Sequence, residues 1–151
     1  MDIKKLIGYL MLIGLILGGI NHINSDKGCI NLYIDYGTLD NGSKITKCIP
    51  ASGEVNALEL LKNENYKIEG TQKYGDAVVC RVNGLPGESF ESCESMPPAE
   101  AYWAVIIKKK NVIPFPNNEW GWAQKGINET YLSEGDSLGL VFSTEGKLRW
   151  P

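Results

Sequence analysis

The stretch from Tyr74 to Trp103, YGDAVVCRVNGLPGESFESCESMPPAEAYW, decides how the rest of the chain is read. Gly75-Asp76 is a turn signal that releases a short apolar run, Ala77 to Val82. Asn83, Gly84 and Pro86 stop that run, and a polar loop carrying Cys93 follows. Pro97-Pro98 then stiffens the approach to a second run that begins at Tyr102-Trp103. Two apolar runs bounded by turn residues predict two buried strands, held across their loop by a disulfide between Cys80 and Cys93. The stretch shows no catalytic centre.

Upstream, Cys29 to Tyr36 (CINLYIDY) alternates: Ile30, Leu32 and Ile34 share one face, Asn31, Tyr33 and Asp35 the other. That period predicts a half-buried strand. Asp40-Asn41-Gly42 turns the chain, and Ser43 to Cys48 returns as a second strand, bringing Cys29 and Cys48 together at the open end of a hairpin. After the break at Pro50 to Gly53 the period changes. Val55, Ala57, Leu58 and Leu61 make a helical stripe over Glu54 to Asn63, with Ser52 or Gly53 as the cap. A helix of about ten residues is marginal alone, so its stripe must pack on a sheet. Tyr66 to Gly70 reads as a short edge-like strand.

Downstream, Tyr102 to Ile107 (YWAVII) is the most strand-like segment, ended by the solvated run Lys108 to Lys110. Pro114 and Pro116 make an extended connection. Glu119 to Lys125 then sets Trp120 and Trp122 on one strand face, and Glu134-Gly135-Asp136 turns into a last strand, Ser137 to Phe142. The remainder reads as a tail in which Trp150 has no evident role. The order predicts an α+β domain over residues 26–145, one helix covering a mixed or antiparallel sheet, with 146–151 as tail.

The chain has 151 residues, 43% hydrophobic and 22% charged, with a formal net charge of −3, which suits one globular domain. Mild acidity argues against nucleic acid, which calls for a basic stripe. The lone histidine, His22, lies beside the N-terminal apolar segment. The domain after it therefore has no Ser-His or Cys-His nucleophile pair and no His-ligated metal. Lys4 and Lys5 precede an apolar run, Leu6 to Ile20, and residues 1–25 read as a signal peptide or an uncleaved signal-anchor helix. In either case the rest is exported, secreted or held at the cell membrane. A lipoprotein signal at Gly28-Cys29 is disfavoured by Asp26 and Lys27. Four cysteines in an oxidising compartment predict the disulfides Cys29–Cys48 and Cys80–Cys93. The competing account, a four-cysteine zinc site, lacks any C-x-x-C pair.

A wider pattern then emerges. Asp35, Cys48, the helix residues Ala57-Leu58-x-Leu60-Leu61, Gly70-Thr71, Tyr74-Gly75, Val79-Cys80-Arg81-Val82-Asn83-Gly84, Cys93, Pro97-Pro98 and Ala101-Tyr102-Trp103 follow one another in that order. The pattern resembles small exported bacterial proteins, common in actinobacteria, that look like the β-grasp domain at the C-terminus of transcobalamin and intrinsic factor. The resemblance spans roughly residues 29–142, and its C-R-V-N-G, PP and A-Y-W elements are the most specific. It implies an extracytoplasmic β-grasp module associated with barrel-type partner proteins and with cobalt or vitamin transporters. It also implies a corrinoid or related ligand in place of a catalytic cofactor. This chain departs from the pattern after Trp103 and in the last strand, where Val105-Ile106-Ile107-Lys108 and Leu138-Gly139-Leu140-Val141-Phe142 stand in place of further aromatics.

The residues that suggest binding are Tyr102, Trp120, Trp122 and Arg81. Trp103 is expected to pack in the core. Trp120 and Trp122 suit either packing or stacking on a macrocycle or sugar ring, and Arg81 suits either an anionic ligand or a cross-strand carboxylate. No carboxylate pair, Gly-x-Ser-x-Gly or phosphate loop is present, so the chain reads as a non-enzyme with no catalytic or metal site. Two readings remain: a small-molecule-binding module acting with an uptake system, or a cell-surface structural or protein-interaction module without such a ligand.

Overall fold

The computed structural model describes residues 28–110 and 119–151. The signal or anchor segment, its junction near residue 25, and the Pro114/Pro116 connection lie outside the described residues. Strand β1, Cys29–Asp35, follows the alternation of its sequence, with Ile30, Leu32 and Ile34 fully buried. Asp40, Asn41 and Gly42 all take positive φ, a conformation these residue types tolerate, and return the chain as β2, Lys44–Pro50. The antiparallel register pairs Cys29 with Pro50 and Asn31 with Cys48. Cys29 and Cys48 therefore face each other diagonally, their Cα atoms 5.4 Å apart, and form a disulfide.

The helix starts later than its stripe suggests. Val55–Asn56 pair as a short strand, β3, with Tyr131–Leu132, β8, and the helix α1 runs over Ala57–Asn63. Asn56 is the cap in place of Ser52 or Gly53: its side-chain oxygen accepts from the backbone N–H of Leu58 (3.0 Å) and Glu59 (3.3 Å). Ala57, Leu58, Leu60 and Leu61 are buried. Each leucine so buried contributes about 1.5–3 kcal/mol, which is what holds a seven-residue helix in place.

The run Ala77 to Val82 departs most from expectation. Only Arg81–Val82, β5, is strand, and it pairs with Ile68–Glu69, β4, in a ladder apart from the main sheet. Asn83 and Gly84 lie at φ 51° and 80°, so the chain doubles back at once, and Val82 donates to the Leu85 carbonyl (2.9 Å). Val79, Cys80 and Val82 are buried all the same, and Cys80 is disulfide-bonded to Cys93 across the loop.

Three further strands complete the main sheet: β6, Ala101–Lys108; β7, Gly121–Trp122; and β9, Ser137–Thr144. The sheet is open and mixed, in the order β2-β1-β9-β6-β7, and with α1 it makes the domain α+β. Strand β9 is central, parallel to β1 and antiparallel to β6. One face carries the main core, where Leu138, Leu140 and Phe142 meet Ile30, Ile34 and Leu61. Trp103 packs there, edge-on to Phe142 and Tyr36 (5.4 Å to each), and its indole N–H donates to the Leu85 carbonyl at 2.9 Å. Among the described residues, no helix is long and apolar enough to cross a membrane.

Candidate binding face

The other face of the sheet is built from the alternate residues of the same strands. Strand β6 turns Tyr102, Ala104 and Ile106 outward, β9 turns Gly139 and Val141, and β1 turns Tyr33. Ala104, Ile106 and Val141 are buried beneath Tyr33, Tyr102, Trp120 and Leu148. This face is thus a small apolar floor roofed by aromatic rings.

Gly139 fixes the roof. A Cβ there would lie 2.5 Å from Ile106 Cγ1 and 3.1 Å from Trp120 Cζ3, so glycine is required by close approach. The Trp120 ring lies over it and meets Tyr33 at 6.4 Å, tilted by 52°. Trp122, paired with Ile106 in β7, has a different environment. It stacks on Tyr102 (6.4 Å, 22°), touches Trp150 edge-on (6.0 Å, 78°), and is 44% exposed. The two tryptophans read as a pair in the sequence are divided by the structure. Trp120 covers the floor and Trp122 faces out.

Tyr102 also opens onto an apolar groove of about 530 Å³ lined by Val78, Val79, Met96, Pro97 and Gly146. Groove and stacked pair meet at this one side chain. A volume of that size falls within the range of small-ligand clefts, about 300–1,000 Å³.

At the β1–β2 edge the face becomes polar. Asp35 is buried; it accepts from the Gly37 N–H (2.8 Å) and the Tyr33 hydroxyl (3.2 Å) and pairs with Lys44 (3.3 Å). Burial, then the Asp35 charge, raises the Tyr33 phenol above its ordinary value. The hydrogen bond to Asp35, then its charge, raises Lys44.

Arg81 is placed elsewhere. It belongs to the β4–β5 ladder, and its guanidinium donates to the carbonyls of Pro86 (3.0 Å) and Glu91. Its position opposite Glu69 is a backbone register pair, and the side chain serves the 86–91 loop. All four cysteines are in disulfides, which overturns the four-cysteine zinc account. Among the described residues, no three His, Cys, Asp or Glu side chains are gathered to hold a metal.

Sequence reasoning brought Tyr102, Trp120 and Trp122 forward but left out Tyr33, Gly139, Leu148 and Trp150. Tyr33 was available from the alternation of β1. Trp150 was not, because it depends on where the chain goes after β9. In comparisons with known proteins, no family model matches this chain, and neither a curated protein nor a solved structure does.

Proposed function

We propose that this protein is an exported β-grasp-type module that binds a small, flat-ring molecule of the corrinoid or vitamin class, in concert with an uptake system or a barrel-type partner. The observation that carries the reading is Tyr102, which joins the stacked, exposed ring of Trp122 to the 530 Å³ apolar groove. An exposed tryptophan stacked on a tyrosine beside a concave apolar wall offers a ring ligand one flat contact and one enclosing contact. The strand order, with a helix after the first hairpin and the last strand set parallel to the first, agrees with a β-grasp arrangement. The two disulfides are consistent with an extracytoplasmic location.

Isothermal titration calorimetry with cyanocobalamin tests the proposal. Ring stacking on an aromatic is worth about 1–3 kcal/mol per contact, so Trp122→Ala should weaken binding about ten-fold or more. Absence of heat from the unaltered protein with cyanocobalamin and with simpler flat-ring vitamins would remove the small-molecule reading.

The second reading, a protein-interaction module, draws on Phe90 and Met96, which are 60% and 58% exposed on the loop that Cys93 anchors. Under that reading, Phe90→Ser abolishes partner capture at the cell surface, and ring-ligand titrations give no heat with or without the substitution.

A further inference from the structure

The chain leaves β9 through a tight reversal. Glu145 and Gly146 lie at φ 56° and 64°, and Lys147 donates to the Thr144 carbonyl at 3.1 Å. Two successive residues at positive φ match the tight turn that reverses a strand on itself. Lys147 pairs with Thr144 as a single bridge past the end of the β1 ladder at Val141, and the chain does not continue as a strand beyond it. It crosses onto the outer face instead. The Ser143 hydroxyl donates to the Lys147 carbonyl (2.8 Å), Leu148 packs on the Ala104–Ile106–Val141 floor, and Trp150 sets its ring edge-on against Trp122.

The attachment weakens along its length. The turn and Lys147 are hydrogen-bonded and Leu148 is half-buried. Beyond Leu148, among the described residues, no hydrogen bond or ion pair holds the chain, and Trp150 is 48% exposed. Its ring centroid lies only 6.0 Å from that of Trp122, so the two rings are in contact and no third ring fits between them.

We propose that residues 145–150 form a strap whose Trp150 occupies the outward side of Trp122 in the empty protein, and that a ring ligand gains this position by displacing Trp150. The inference rests on the ring-binding reading above. The strap acts as a built-in competitor: it shields an exposed aromatic from unspecific contacts and makes affinity depend on how well a ligand outmatches one edge-on indole.

The experiment uses the full chain with Trp150→Ala, Trp122→Ala and Ser143→Ala, and two probes: cyanocobalamin, and anilinonaphthalene sulfonate as a generic apolar ring. An edge-to-face aromatic pair corresponds to about a two- to ten-fold change in an equilibrium constant, so Trp150→Ala should tighten probe binding by about that factor. Ser143→Ala, which removes the hydrogen bond to the Lys147 carbonyl, should act in the same direction. The indole N–H resonance of Trp122 should shift in Trp150→Ala and in the probe-bound protein alike, while that of Trp103, bonded to the Leu85 carbonyl, stays in place. Weaker or unchanged binding in Trp150→Ala, with Trp122→Ala still weakening it about ten-fold or more, overturns the strap and leaves the binding face intact. If neither probe binds any variant, the ring-binding reading fails. A Trp122 resonance unmoved by Trp150→Ala would then overturn the strap contact as well.

Discussion

Trp103 and Trp122 belong to neighbouring strands of one sheet, yet they answer to different physics. Trp103 sits on the helix side with its ring wedged between Tyr36 and Phe142, its indole N–H satisfied by Leu85, and almost none of its surface in water. Trp122 lies on the far side, carries other rings on it, and keeps nearly half of its surface exposed. The helix-side face is sealed by α1 and the disulfide-bound loop. The far face is covered by aromatic side chains and by the segment that returns from β9. Stability resides mainly in the first, and the second keeps the exposed rings on which the proposed binding rests.

The largest test of this division is Trp103→Ala. Truncating a buried tryptophan costs about 3–5 kcal/mol, and here it also removes one of the two hydrogen bonds to the Leu85 carbonyl, which keeps the Val82 N–H. Urea denaturation should show a loss of that size; a loss no larger than that of an exposed residue would break the comparison. Gly139→Ala comes next. Its new methyl meets Ile106 and Trp120, overpacking that costs about 1–3 kcal/mol and tilts Trp120 off the floor. Near-ultraviolet circular dichroism should change along with the melt, and an unaltered spectrum would mean that Trp120 does not rest on this glycine.

Trp122→Ala should cost about 1–2 kcal/mol for its two ring contacts, well short of Trp103→Ala, while weakening probe binding about ten-fold or more. Destabilisation comparable to Trp103→Ala would make the outer face a second core.

The smallest effect is electrostatic. Tyr33 and Tyr36 have raised phenol values, burial being the first cause in each, and Lys44 is raised by Asp35. In all three the folded chain holds its proton more tightly than the unfolded chain. Their contributions are therefore complete below the ordinary values of 10.0 and 10.5 and are lost as pH rises above them. Denaturation midpoints should fall above about pH 10, and Tyr33→Phe should make the fall shallower. An equally steep fall in that variant would separate Tyr33 from the effect.

The sequence made some of this legible and concealed the rest for reasons that can be named. The β1–β2 hairpin and its disulfide follow from alternation and from Asp40-Asn41-Gly42, because both signals are local. The helix stripe is readable but its first turn is not: Val55 pairs with Leu132, far along the chain, and Asn56 caps in place of Ser52 or Gly53. The run Val78 to Val82 is apolar because it is buried, and burial alone does not distinguish a strand from a packed loop. Trp120 and Trp122 alternate as expected. Their different burial was not legible, because Trp120 lies over Gly139, a residue of β9 whose missing side chain leaves room for that ring.

The parallel pairing of β1 with β9 has a mechanical consequence. Asn31 to Asp35 lie beside Ser137 to Val141, so the first and last strands of the sheet run side by side in the same direction. A pull applied at Cys29 and at Thr144 draws these two strands past each other lengthwise. Their hydrogen bonds then bear the load together, where an antiparallel hairpin pulled at its open end would yield one bond at a time. The Cys29–Cys48 bond also ties the pulled end of β1 to β2, spreading tension into the neighbouring strand. Drawn between these two points, the domain is a shear joint, and it resists stretching in that direction more than in any that peels a single edge.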